Sequence, residues 1–326
     1  MTKRSWKGVI AGVLIGGVVA VGILEGAIRA LHLIPDSDPI PYHAAPGEEV
    51  FAPVPNASAT STFGILHRTD SLGLRGPDRS LARNPGRPRV AVVGDSVVWG
   101  YGVSEDDTIP AWLERLSSSD GVGLDVWNLG VTAYNTYNEK AKYARLAPLL
   151  APDVTIVVVL FNDLHPRAQN FRITSVGTLS DPRLRPPYPD EWRAILDKSA
   201  LFRAMIWAYW RVWRPLGTSY NRANLPGVVG QLDEIRDIAK GVGSSVIVAA
   251  MPSGGPDANL FAILSSGLRE FCEKRQIPFV DLSSVLGDPP RREYLLPADP
   301  VHPTPEGTRL IAEALLPIIN QTLKKR

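Results

Sequence analysis

Residues 89–103 read RVAVVGDSVVWGYGV. Arg89 opens a run of Val, Ala, Val and Val that passes without a break into Gly94, Asp95 and Ser96, and a second apolar stretch follows the serine. An apolar run this short, bounded by a glycine, reads as a strand buried on both faces that ends in a tight turn. Such a turn leaves Ser96 at the carboxyl end of the strand, beside a helix N-terminus that favours developing negative charge. Four more Val- and Ile-rich runs, at 124–128, 154–160, 245–250 and 278–281, predict a sheet of five strands. Amphipathic stretches at 110–117, 136–150, 228–240, 259–275 and 305–323 predict the helices between and after them. Strands apolar on both faces and separated by helices describe an α/β fold with a mainly parallel sheet covered on both sides. In such sheets ligands sit at the carboxyl ends of the strands.

The composition agrees with this and narrows the function. The chain has 326 residues, 44% of them hydrophobic, with 35 Lys+Arg against 33 Asp+Glu. It can bury a full core, which excludes disorder, collagen and coiled coil as descriptions of the whole. A net charge of +2, with the basic residues dispersed apart from two terminal clusters, argues against a nucleic-acid partner. Cys272 is the single cysteine, so neither an intramolecular disulfide nor a cysteine-rich zinc site is available. Within a predicted helix it reads as a small buried apolar residue.

Ahead of the sheet, Lys3, Arg4 and Lys7 precede an uncharged run over residues 8–24, GVIAGVLIGGVVAVGIL. As a helix it spans roughly 25 Å, and the apolar pattern resumes from Ala27 to Ile34. Residues 1–34 therefore read as a signal anchor, one transmembrane helix with a juxtamembrane extension. A cleaved signal peptide would want a small-residue cut site that ILEGAIRAL does not offer, and a buried soluble helix is the other alternative. Basic residues before the segment place the rest of the chain outside the cytoplasm. Six prolines between Pro35 and Pro55 give residues 35–62 the composition of a stalk. Residues 63–326 then form the main domain, with 164–226 as an insertion between the third and fourth strands.

Polar residues collect at the predicted strand ends. The second strand ends in Asn128-Leu129-Gly130 and the third in Phe161-Asn162-Asp163, while Asp299-Pro300-Val301-His302 stands just before the last helix. A serine hydroxyl is a poor nucleophile at neutral pH unless a neutral imidazole lies within reach, held in one tautomer by a carboxylate. Of five histidines, His32 lies beside the membrane segment, His43 in the stalk, and His67 ahead of the first strand. His165 follows the third strand but has no carboxylate placed as Asp299 is for His302. Simpler readings stand beside these: Ser96 as a helix cap, Asp299 and His302 as metal ligands, Asn162 as a partner for buried backbone, Asp95 and Asp163 as loop-fixing residues. No G-x-S-x-G pentapeptide is present, which argues against an α/β-hydrolase elbow.

In these four blocks, taken in order, the chain resembles the SGNH or GDSL hydrolases: Gly94-Asp95-Ser96, NLGVTAYNT from Asn128, Asn162-Asp163, and the D-x-x-H pair Asp299 and His302. The resemblance runs from about Arg89 to the carboxyl terminus. The anchor, the segment Asp70 to Arg75 and the GYGV after the first block also look like the single-pass bacterial members. It implies a flavodoxin-like three-layer α/β/α domain and a serine esterase that cleaves acyl esters, acetyl esters foremost, through an acyl-serine intermediate without metal or cofactor. Carried over by position, Ser96 is the nucleophile, His302 the general base, Asp299 its orienting carboxylate, and Ser96, Gly130 and Asn162 form the oxyanion hole. The third block departs from the family pattern, because Leu160 stands where a glycine is expected. The substrate expected is an acyl ester such as an acetylated glycan. The alternatives are an O-acyltransferase acting on cell-envelope polysaccharide and a catalytically silent carbohydrate-binding scaffold. Within the insertion, Trp207, Trp210 and Trp213 at three-residue spacing mark an aromatic helix: packed on the core, closing over the site, or lying on the membrane.

Overall fold

A computed structural model of the chain describes residues 6–119, 123–180, 188–213, 221–254 and 258–326. The central sheet has five strands, β1 (Arg89–Val93), β2 (Asp125–Asn128), β3 (Val154–Val159), β4 (Ser245–Ala250) and β5 (Phe279–Asp281). They lie side by side in the order β2, β1, β3, β4, β5, and every pairing is parallel. The register sets Val90 beside both Val126 and Val154, so the apolar residues form continuous rows across the sheet. Order and direction are those of a flavodoxin-like sheet, as the family resemblance implies.

Helices cover both faces. On one side α4 (Thr136–Leu150), α7 (Leu225–Gly241) and α8 (Phe261–Arg275) pack Leu146, Ile235 and Leu268 onto Val93, Val157 and Val248. On the other side α3 (Ile109–Ser119), the single turn α9 (Ser283–Leu286) and α10 (Pro305–Lys324) pack Leu113, Leu286, Ile311 and Leu315 onto Val92, Ile156 and Ile247. Both rows of the central strands β1, β3 and β4 are thus buried, which is why they read as apolar runs and do not alternate. The predicted helices are all present, with ends moved by at most three residues.

The first described element is α1 (Trp6–Leu31), 26 residues long, with a mean hydropathy of 2.2 over its most apolar window and nothing in that window buried. It is long and apolar enough to cross a membrane.

Residues 35–62 depart from the stalk expected of them. Proline does keep this segment out of helix, but it folds back onto the domain. Tyr42–Ala44 and Phe51–Pro53 pair as an antiparallel hairpin, and Ser58–Thr60 pairs with Leu66–Arg68. Ile40 and Phe51 are fully buried. Phe51 contacts the Tyr134 ring edge-on at 5.1 Å, its carbonyl accepts the Tyr134 hydroxyl, and Glu49 pairs with Arg145 of α4 at 2.6 Å. Burial of these side chains outweighs the extended preference of the prolines, so the domain starts directly after α1.

The insertion forms a small hairpin, Arg172–Ile173 with Leu179–Ser180, then a single turn α5 (Arg193–Leu196) and α6 (Ala200–Trp213). Of its aromatic helix, Leu201, Ala204 and Trp207 pack against the end of α1, not against the central core. The side chains of Trp210 and Trp213 lie outside the described structure.

Candidate active site

Ser96 opens α2 (Ser96–Trp99), a single turn that begins where β1 ends. Asp95 caps this turn by accepting the Val97 N–H at 2.8 Å. Gly94 is needed because a Cβ there would lie 2.4 Å from a methyl of Val98. Buried Arg75 holds the far end of the turn, donating to the carbonyls of Trp99 at 3.0 Å, of Gly100, and of Val103 at 2.6 Å. Through this arginine the DSLGLR segment locks the backbone that carries the serine.

His302 and Asp299 come to the same place from the loop before α10. With the imidazole carrying its proton on Nδ1, His302 donates to Asp299 Oδ2 at 2.7 Å and its Nε2 accepts the Ser96 hydroxyl at 2.8 Å. Asp299 in turn accepts the N–H groups of Val301 and His302 on Oδ1, so both of its oxygens are fixed. Burial by itself lowers the His302 pKa, but the charge and hydrogen bond of Asp299, with Asp95 behind, outweigh it and leave the imidazole raised above its ordinary value. Burial raises the Asp299 carboxyl, the His302 charge and hydrogen bond lower it, and the net shift is downward. The Tyr101 ring stacks on His302 with centroids 4.3 Å apart, and its hydroxyl donates to the Asp36 carbonyl. His165 is placed elsewhere, with its Nδ1 2.6 Å from the Arg167 carbonyl. Among the described residues no further His, Cys, Asp or Glu joins Asp299 and His302 in a group able to hold a metal.

The donors around the serine differ in part from those the sequence suggests. The Gly130 N–H is donated to Asn128 Oδ1 at 3.0 Å, so it is not available to an oxyanion. Glycine is required at 130 for another reason: a Cβ would sit 2.2 Å from the Trp99 nitrogen. Three residues on, Ala133 adopts the left-handed conformation with φ 67°. A non-glycine residue held there stores strain of about 1–3 kcal/mol, a feature that clusters at working sites. Its neighbours tie this loop to the serine turn, since the Val131 N–H donates to the Gly94 carbonyl at 3.2 Å and the Tyr134 carbonyl accepts from Asn162. Among the described residues the N–H groups of Ser96 and Ala133 have no hydrogen-bond partner. The Asn162 amide donates to Asp95 Oδ2 at 2.7 Å and to the Tyr134 carbonyl at 3.0 Å, so both its protons are engaged.

Behind the serine lies a patch of buried carboxyls. Asp163 accepts the N–H groups of Thr136 at 2.6 Å and Leu160 at 2.7 Å, which joins the second and third blocks. This is the loop-fixing role read for Asp163; Leu160 itself is extended, with φ −124° and ψ 172°, a conformation that needs no glycine. Burial first, then mutual proximity, pushes Asp163 and Glu139 well above the carboxylate range, and burial raises Asp95 as well.

The residues missed from sequence are Ala133, Tyr101 and Arg75. Only spacing within NLGVTAYNT could have pointed to Ala133, because its signal is a backbone angle.

The model of the GDSL-like lipase/acylhydrolase family matches residues 92–310. No curated protein matches the chain. Among solved structures, the lipase/acylhydrolase from Enterococcus faecalis is 14% identical, with a TM-score of 0.48 over 72% of this chain and 96% of that one. A GDSL-like lipase from Bacteroides thetaiotaomicron is 15% identical, with a TM-score of 0.45 over 76% of this chain and 92% of that one. A catalytic mutant of an acetylxylan esterase from Geobacillus stearothermophilus is 14% identical, with a TM-score of 0.45 over 74% and 96%.

Proposed function

The chain belongs to the GDSL-like lipase/acylhydrolase family, and from that premise we propose that it is a membrane-anchored serine esterase of small acyl esters. The observation that carries the reading is the unbroken line from Asp299 through His302 to Ser96, with contacts of 2.7 and 2.8 Å. The Ser96 oxygen attacks the ester carbonyl while its proton passes to His302 Nε2. Asp299 holds the imidazolium that forms, which is then poised to protonate the leaving alkoxide. The acyl-serine left behind is hydrolysed by water activated by the same imidazole. We assign the Ser96 and Ala133 N–H groups to the oxyanion. Asn162 holds the loop between Asp95 and Tyr134, and contributes a proton only by releasing one of those partners. Each such donor is worth about 10²–10³ in rate.

Ser96 is 9% exposed and Tyr101 covers the face of His302, which favours an acyl group as small as acetyl. Lys3, Arg4 and Lys7, at the amino-terminal end of the apolar run, favour a domain outside the cytoplasm, where acetylated envelope glycans would be the matching substrate class. The test is a p-nitrophenyl ester series beside acetyl release from such glycans. The kcat/KM should be highest for acetate and fall about tenfold or more by butyrate. A profile that rises toward long chains would overturn the small-acyl reading.

A further inference from the structure

The domain meets α1 where its apolar run ends. Glu25, the first charged residue after Leu24, accepts the Ala200 N–H at 2.9 Å, the Leu201 N–H at 2.8 Å and the Ser199 hydroxyl at 2.9 Å. Arg29, one turn further, donates to the carbonyls of Thr62 and Lys198. Ile28 and Ile34 pack on Ala200 to close the joint. An α-helix rises about 1.5 Å per residue, so Ser199 and Ala200 are held level with the last apolar turn of α1.

Immediately before them, Trp192 is 58% exposed and Ile195 is 76% exposed. Arg193 lies between the two and Lys198 follows them, Glu191 and Asp197 stand on either side, and Arg29 and His32 line a shallow hollow beside Phe63 at the same joint. An exposed tryptophan and isoleucine among charges of both signs, a few residues before the turn that Glu25 fixes at the end of the apolar span of α1, have the composition of an interfacial membrane contact. We infer that residues 192–198 are a second membrane attachment, which seats Trp192 and Ile195 at the headgroup–acyl boundary of the leaflet from which α1 emerges.

The inference rests on the anchoring read for α1 above. It also bears on the catalytic site. Arg203 of α6 donates to the Asp36 carbonyl at 2.6 Å, the same carbonyl accepts the Tyr101 hydroxyl, and Tyr101 stacks on His302. These contacts run from the α1 joint to His302, so two attachments at that joint would fix the orientation of the serine toward the bilayer and suit the site to esters presented at the membrane surface.

Cys272 is the single cysteine and is buried, so an introduced thiol can be labelled alone. The full chain carrying Ile195→Cys, Val18→Cys or Glu270→Cys is labelled with an environment-sensitive nitrobenzoxadiazole. It is then reconstituted in vesicles of phosphatidylethanolamine and phosphatidylglycerol. Val18 lies in the exposed apolar stretch of α1, and Glu270 is an exposed residue of α8. The label at 195 should be quenched by headgroup-nitroxide lipid and show about threefold less iodide quenching than the label at 270. The label at 18 should be quenched by nitroxide placed deep in the acyl chains. If 18 is in lipid while 195 is as open to iodide as 270, the second attachment is refuted and the anchor stands. If 195 is shielded from iodide without quenching by lipid, a protein covers it and the inference is equally refuted. A label at 18 that iodide reaches freely refutes the anchor itself, and the inference with it.

Discussion

The loops around Ser96 and the segments that join α1 to the domain are both made of irregular chain, yet they are held in opposite ways. Around the serine, each turn is fixed by bonds short in sequence, Asp95 to Val97, Asp163 to Leu160, Asp299 to Val301 and His302, and the turns so built are then joined through His302 to Ser96 and Asn162 to Asp95. From the end of α1 through residues 35–62 the named bonds instead join residues 65 to 175 positions apart: Glu25 to Ala200, Arg203 to Asp36, Tyr101 to Asp36, Arg145 to Glu49. Local polar bonding writes its residue types into the sequence at fixed spacing. Long-range docking leaves only ordinary apolar and charged residues, whose partners are invisible until the fold is known.

The largest expected effect lies in the first region. His302→Ala should lower kcat by about 10⁴ and Asp299→Asn by about 10²–10⁴, with KM little changed, because both act in the transition state. The pH dependence tests the same link. Attack needs neutral His302, so kcat/KM falls as pH drops through its pKa, which Asp299 holds above the ordinary value of 6.5. Asn at 299 removes the charge that raises this pKa and leaves the burial that lowers it. The acid limb should therefore move to lower pH in Asp299→Asn, and a limb that stays in place would detach Asp299 from the imidazole.

This contrast also explains which features are legible in the sequence. The five strands and the α4, α7, α8 and α10 helices are legible because both rows of each strand are apolar and the helical periodicity is unbroken. Ser96, Asn162, Asp299 and His302 are legible as polar residues at strand ends, and the structure brings all four together. Gly130 misleads because glycine in a loop signals close approach as readily as an exposed N–H, and Ala133 escapes because its φ is not a residue type. The stalk reading fails because six prolines forbid helix but do not forbid packing: Ile40 and Phe51 are the residues that decide, and both are fully buried.

The second region gives the next largest effect. Phe51→Ala should destabilise the domain by about 3–5 kcal/mol, since it removes a fully buried ring from contact with Tyr134. Denaturant unfolding reads this directly, and a change within about 0.5 kcal/mol, typical of a surface site, would restore the stalk. The smallest effect returns to the serine loops. Ala133→Gly should raise stability by no more than about 1 kcal/mol, as relief of the left-handed strain is offset by the entropy of glycine, and should keep esterase activity because the assigned donor is backbone. Loss of activity beyond about tenfold would mean that the loop conformation, and with it the proposed N–H, depends on the methyl group.

The central claim is that Ser96 carries the acyl group, and trapping it is the most direct measurement. Full-length protein treated with a fluorophosphonate should gain one adduct, located on the peptide that contains Ser96 by mass spectrometry, and lose turnover in parallel. Ser96→Ala should take up none while keeping its fold. An adduct on another residue, or turnover that survives in Ser96→Ala, would contradict the account.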